Sequence, residues 1–324
     1  MLNRRTVLKS ALAATALGPL GKFALAQSSR PFKLFDCHAH FYTNEPDKYP
    51  FDARTARYGP ERMIAKAMAN PMTPEVVFEF WEAAGIELGL GVQYSSAYYT
   101  DNSYLLDIAA RHPDRIIPIV ILDATDRATP GKLERMAREN RIAGVRFMGS
   151  ANQDGVFPYL SDAAQGAWEL ANDLGLTITL MPLGRHAGPA LRRVKELAER
   201  YSNVPVVLDH IGFPQYSSRP ETFGYTEDHL ALAEVDNIYY KYTTFLIEML
   251  LSDETPLGDF LEFTVEKFGA DHMIWGSDIG NSEVDDLLFV QHALDSATGL
   301  PLEQQKAIFY DTAKRIFIPG GSRA

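Results

Sequence analysis

The chain has 324 residues, 46% hydrophobic and 23% charged, and a formal net charge of −11. These proportions describe an ordinary globular protein with a large core, and the acidic balance argues against nucleic acid or an anionic membrane surface as partners. The single cysteine, Cys37, excludes an internal disulfide, so stability must come from packing.

The first residues read as a targeting segment rather than as part of a fold. Asn3-Arg4-Arg5-Thr6-Val7-Leu8-Lys9 is a twin-arginine sequence, Ala11 to Leu20 is a short apolar stretch, and Ala24-Leu25-Ala26 offers small residues for cleavage. That order is expected of an export signal over residues 1–26, and the apolar run is too short to span a bilayer. The expected partner is therefore the twin-arginine export machinery, the expected location periplasmic or secreted, and the mature chain begins near Gln27. About 300 residues remain, a span that a single (β/α)8 barrel commonly fills.

Apolar strand-like runs then alternate with amphipathic stretches. Strands are expected over Lys33–His40, Ile86–Gln93, Ile116–Leu122, Ile142–Met148, Leu176–Pro182, Val204–Leu208, Ile238–Thr243 and His272–Trp275. Helical periodicity marks Thr73–Ala84, Pro130–Asn140, Ala163–Leu174, Gly188–Tyr201 and Pro256–Phe268. The strands are continuously apolar, as parallel strands covered on both faces should be. Eight strand–helix units over residues 27–324 predict a single closed (β/α)8 barrel. An open doubly wound sheet is the competing arrangement, but no Gly-rich turn follows the first strand. Residues 43–72 and 212–225 are long insertions after the first and sixth strands, expected to be irregular cover over the barrel mouth.

Three segments carry chemistry. Asp36-Cys37-His38-Ala39-His40 ends the first strand. Strand alternation sends His38 and His40 to the same side, with Asp36 one step below, and paired imidazoles suit a divalent metal such as zinc. Ile274-Trp275-Gly276-Ser277-Asp278 ends the last strand, which barrel closure places beside the first. Asp278 can there bind a metal or take a proton from an attacking water. Val207-Leu208-Asp209-His210 ends the sixth strand, where His210 can polarise a carbonyl or shuttle a proton. Asp209 is either its partner or a cap.

These motifs resemble the amidohydrolase-related branch of metal-dependent hydrolases. Gly144-Val145-Arg146-Phe147 and Tyr239-Tyr240-Lys241 look like segments of its pyrone-dicarboxylate lactonase and sulfomuconolactone hydrolase members. Asp311-Thr312-Ala313-Lys314-Arg315-Ile316-Phe317 resembles the family's terminal helix, with Asp311 where Asn is usual. Metal-holding members place a further His at the end of the fifth strand, whereas this chain has Met181 near that position, and a thioether is a poor ligand for zinc. His38, His40 and Asp278 can still hold one divalent ion, with His186 reaching in from the loop, and a metal-free site stays open as the alternative.

The resemblance implies a hydrolase acting on a carboxylated lactone or cyclic ester. Asp278 would activate water, His210 would assist the leaving oxygen, and Arg146, with Lys241 and Arg185, would fix the carboxylate. Tyr94, Tyr98 and Tyr99 can wall a planar substrate. His112, His229, His272 and His292 are expected to take no part. Non-oxidative decarboxylation and a non-catalytic periplasmic binding role are the competing functions.

Overall fold

The computed structural model describes residues 30–182, 187–215 and 220–318. The expected export signal lies outside them, and no helix among the described residues is long and apolar enough to cross a membrane.

Eight parallel strands pair in chain order: β1 (Leu34–Ala39), β2 (Ile86–Val92), β3 (Ile116–Leu122), β4 (Gly144–Phe147), β5 (Thr177–Leu180), β6 (Val206–Leu208), β7 (Ile238–Thr243) and β8 (Met273–Gly276). A parallel bridge between Ala39 and Ile279 brings the last strand back to the first, and His40 N donates to Ile279 O at 3.0 Å. The chain is thus a (β/α)8 barrel, with every strand within two residues of its expected bounds.

The covering helices start and stop where local chemistry dictates. The helix Pro74–Ala84 has proline in its first turn, where the missing N–H costs nothing, and ends on Gly85 in the left-handed region at φ 74°. Its Val77 and Trp81 are fully buried against the barrel. The insertion after β1 is more ordered than its composition suggests. A helix, Pro60–Ala69, forms inside it and buries Met63 and Ala67 at four-residue spacing. Its short length and mixed polarity hid that face in the sequence.

The barrel interior holds Phe35, Cys37, Leu90, Val92, Ile119, Val207 and Ile274. The C-terminal helix Thr312–Phe317 adds Ala313, Ile316 and Phe317 to this cluster, and Phe317 stacks on Phe35 with ring centroids 6.4 Å apart. That seals the barrel at the end where the strands start, leaving chemistry to the opposite end.

One detail corrects simple alternation. The β1–β2 register shifts between Asp36 and Ala39, so Asp36 does not lie below His38 on the same side. Asp36 instead turns to the covering helix and to β8. Its Oδ1 accepts from His38 N (2.9 Å) and Ser277 N (2.8 Å), and its Oδ2 from Trp81 Nε1 (2.9 Å) and Ser277 Oγ (2.6 Å). The closure it holds is tight: a Cβ on Gly276 would sit 2.6 Å from the His38 Cβ. Replacing Asp36 with Ala strands several buried donors and should cost about 3–5 kcal/mol in chemical denaturation, whereas Trp81→Phe, losing one donor, should cost about 1 kcal/mol.

Candidate active site

The register shift at Asp36 turns both His38 and His40 into the barrel mouth. Their Nε2 atoms lie 3.2 Å apart, and Asp278 Oδ1 sits 3.6 Å from the first and 3.4 Å from the second. All three side chains are almost wholly buried. Asp278 occupies the left-handed region at φ 55°, a conformation that Asp tolerates better than most residues and that aims its carboxylate back at the imidazoles. Its Oδ2 accepts from Asn281 Nδ2 at 3.2 Å, while its buried Oδ1 has no hydrogen-bond partner among the described residues.

That orphaned oxygen is what a metal or an activated water would satisfy. His38, His40 and Asp278 offer ligand atoms within 4.8 Å of one another and so form a group that can hold an ion. His40 is further prepared for this, because its Nδ1 donates to Val92 O at 2.9 Å and leaves Nε2 as an acceptor. Tyr94 covers the other face of His40 at a centroid distance of 4.4 Å, and Asn281 Oδ1 accepts from the Tyr94 hydroxyl at 3.1 Å.

Beside the imidazoles lies a buried ionic cluster. Arg146 Nε donates to Asp209 Oδ2 at 2.8 Å, and Lys241 Nζ is 2.8 Å from Asp209 Oδ1. Burial alone would raise the Asp209 carboxyl, but Lys241, Arg146 and then His210 outweigh it and hold it well below the usual carboxylate range. Asp209 is thus the counter-ion of two cations rather than a cap or a proton donor. Arg146 also points Nη2 at the Met181 sulfur, 3.5 Å away, so Met181 packs against the guanidinium and takes no place beside His38 and His40.

His210 follows Asp209 in the left-handed region at φ 53°, a strained turn for this residue type. Its ring stacks over His38 at 5.7 Å, its Nδ1 lies 2.6 Å from Thr243 Oγ1, and Phe213 and Phe245 flank it. Burial lowers its pKa, Asp209 and Asp278 raise it, and Arg146 and Lys241 lower it again, leaving it pushed down to about 4. The ring is therefore neutral at neutral pH. Burial, then Lys241, His40, Arg146 and His210, hold His38 well below the ordinary histidine value, so it too is neutral.

The structure therefore brings His38, His40, Asp278, His210, Arg146 and Lys241 together, and leaves Arg185 and His186 outside the described residues. Of the three tyrosines, Tyr94 reaches the site; Tyr98 accepts from Thr43 N and packs in the core, and Tyr99 lies under Arg54. His229 and His272 are tied to the backbone oxygens of Gly212 and Ile238, while His112 and His292 pack edge-on against Phe78 and Phe289. Sequence reasoning missed Asn281 and Thr243. The period of two from Lys241 points to Thr243, but nothing local marks Asn281.

A cavity of about 530 Å³ adjoins the site through Tyr94 and Asn281. The rest of its wall includes Arg57, Arg62 and Lys66 from the β1 insertion, Phe245 and Glu248 from the helix Thr244–Ser252, and Glu283. Arg62 pairs with Glu283, and Lys66 Nζ donates to Gly280 O and Asn281 O. Arg57 lies over the Phe245 ring at 5.5 Å and, among the described residues, pairs with no carboxylate.

The amidohydrolase family model matches residues 35–317. The chain is a member of the amidohydrolase family. As such it is an enzyme of that superfamily. No curated protein matches it by sequence. Solved structures similar to it include a putative 2-pyrone-4,6-dicarboxylic acid hydrolase from Pseudomonas putida (22% identity, TM-score 0.68, 88% of this chain and 97% of that one). An amidohydrolase from Burkholderia multivorans (16%, 0.70, 88% and 99%) is also similar. So is 5-carboxyvanillate decarboxylase from Novosphingobium aromaticivorans, complexed with manganese (13%, 0.65, 90% and 97%). At these identities the likeness establishes the shared fold.

Because Asp209 neutralises two buried cations, Asp209→Asn should destabilise the protein by about 3–5 kcal/mol, and by more than Lys241→Met, which leaves Asp209 paired with Arg146. Equal losses in chemical denaturation would contradict the arrangement of charges described.

Proposed function

We propose that the enzyme hydrolyses a carboxylated lactone or related cyclic ester. The observation that carries this reading is Asp278 Oδ1: a buried carboxylate oxygen without a hydrogen-bond partner among the described residues, aimed at two buried imidazoles in the barrel mouth. Such an oxygen is placed to accept a proton from water. The likeness to the putative 2-pyrone-4,6-dicarboxylic acid hydrolase accords with it, while decarboxylases share the same fold.

In the proposed reaction Asp278 takes a proton from water and the hydroxide adds to the lactone carbonyl carbon. The ring C–O bond then breaks, the proton on Asp278 returns to the leaving oxygen, and His210 is that oxygen's hydrogen-bonding partner. His38 and His40 lie where the carbonyl oxygen would carry developing charge. A divalent ion, zinc above all, would be held by His38, His40 and Asp278 and would supply Lewis acidity to that oxygen.

Recognition of the substrate carboxylate divides between two places. Asp209 spends most of the charge of Arg146 and Lys241, so these residues orient a carboxylate through the remaining N–H groups of Arg146 rather than attract it from solvent. Arg185, which follows β5 in the sequence and lies outside the described residues, would join Arg146 in the proposed set. Arg57, with no carboxylate partner among the described residues and set in the wall of the adjoining cavity, is placed to draw an anion in. The proposed compartment is the periplasm or extracellular space, reached by the twin-arginine machinery; N-terminal sequencing of protein from that fraction should give a start near Gln27.

The deciding test is proton balance on a panel of carboxylated lactones and aromatic-type acids. One proton released per turnover near neutral pH is expected, since ring opening makes a new carboxylic acid. Proton uptake would mark decarboxylation and overturn the reading. In the folded protein, Asp278→Asn should lower kcat by about a thousandfold. Arg57→Ala should raise KM about tenfold while kcat changes little, the signature of lost binding common to ground and transition states.

A further inference from the structure

The Asp278 carboxylate is aimed by the turn that it opens, residues 278–281. Asp278 and Gly280 both stand at positive φ, 55° and 90°, and Asn281 N donates back to Asp278 O at 3.2 Å. The inner edge of the turn is packed against β1. His40 N donates to Ile279 O at 3.0 Å, and a Cβ on Gly280 would lie 2.9 Å from His40 O. The turn ends on Asn281, whose Nδ2 donates to Asp278 Oδ2 at 3.2 Å and whose Oδ1 accepts from the Tyr94 hydroxyl at 3.1 Å. The rotation of the Asp278 carboxylate, and with it the direction of Oδ1, therefore follows the position of the Asn281 backbone.

The outer edge of the turn is held from far away in sequence. Lys66, in the last turn of the helix Pro60–Ala69, donates from Nζ to Gly280 O at 3.0 Å and to Asn281 O at 3.2 Å. Tyr42 gives Gly280 O a second donor at 3.1 Å, but among the described residues Asn281 O has Lys66 alone. Lys66 is half-buried and, among the described residues, pairs with no carboxylate. An ammonium that engages two successive carbonyls of one turn fixes backbone position, through hydrogen bonds strengthened by its charge. The other link between this helix and the segment after β8, Arg62 with Glu283, is exposed on both sides and constrains little. Met63 and Ala67, buried on either side of Lys66 in sequence, seat the helix, so the ammonium reaches the turn from a fixed base.

We propose that Lys66 is a positioning residue for Asp278, acting through the Gly280 and Asn281 carbonyls and the Asn281 side-chain amide. The insertion after β1 thus sets the geometry of the reacting carboxylate without touching it, in addition to walling the cavity. The proposal rests on the reading of Asp278 as the group that takes a proton from water, and the orientation it describes is needed with or without a bound ion.

The first readout is hydrogen–deuterium exchange of the unmodified protein and Lys66→Met, which needs no substrate. Amides of residues 279–283 should exchange about tenfold faster in the variant, while those of β1 and β8 keep their protection. Unchanged exchange over 279–283 would overturn the proposal, and loss of protection across the strands as well would make Lys66 a general structural contact instead. Steady-state kinetics then use a carboxylated lactone that the unmodified enzyme turns over. Lys66→Met should lower kcat about ten- to a hundredfold, the size of effect that a misplaced reacting group produces, with KM changing less than about threefold. Lys66→Arg, which keeps a cationic double donor, should restore kcat to within about threefold of the unmodified value. A raised KM at unchanged kcat in Lys66→Met would make Lys66 one more anion-binding cation of the cavity and overturn the positioning role. Asp278→Asn is assayed alongside. Full activity in that variant would sink the reading of Asp278 itself, whereas an inactive Asp278→Asn beside a fully active Lys66→Met would sink only the role given to Lys66.

Discussion

The Asp36 carboxylate ties the first strand of the barrel to the last. It accepts hydrogen bonds from the backbones of His38 and Ser277, from the Ser277 hydroxyl and from Trp81 on the covering helix. Removing a carboxylate from water is costly, and four donors are what make its complete burial tolerable. The return is positional. The same contacts bend β1 out of regular alternation, so His38 and His40 enter the mouth in succession and Asp278 meets them across the β1–β8 seam. Gly276 makes the approach possible, since any side chain there would collide with His38.

Around that seam the charge is arranged in two layers. The inner layer is a buried anion, Asp209, between Arg146 and Lys241, which joins β4, β6 and β7 at the mouth; burial, helped by the two cations, keeps His38 and His210 neutral, although Asp209 pulls His210 the other way. Its cations are largely spent. Buried ion pairs often contribute little net stability because desolvation offsets the attraction. The outer layer, on the insertion after β1, leaves Arg57 without a carboxylate partner among the described residues, beside a cavity that meets the site at Tyr94 and Asn281. A net charge of −11 would repel an anionic substrate at long range, so a local cation at the entrance carries more weight than it would on a neutral protein.

Sequence alone determined the barrel and the core of the site. Eight continuously apolar strands separated by amphipathic helices leave few other ways to bury both faces of a parallel sheet, and closure of eight strands brings residue 278 beside residues 38 and 40 by topology. His38, His40, Asp278 and His210 were legible because each ends a strand, where side-chain direction and position at the mouth are nearly fixed. The helix Pro60–Ala69 and the role of Asn281 were not, because short segments and loop residues carry too little periodicity to reveal which face they turn inward. Only the tertiary structure decided which charges meet. Asp36 and Asp209 look alike in sequence, each within two residues of a histidine near the mouth end of a strand, yet one latches backbone and the other binds two cations. Arg146 and Lys241 read equally well as free clamps until β4, β6 and β7 bring them to one carboxylate. Strand position follows from local pattern, but the partner of a buried charge depends on residues dozens of positions away, and only packing selects among them.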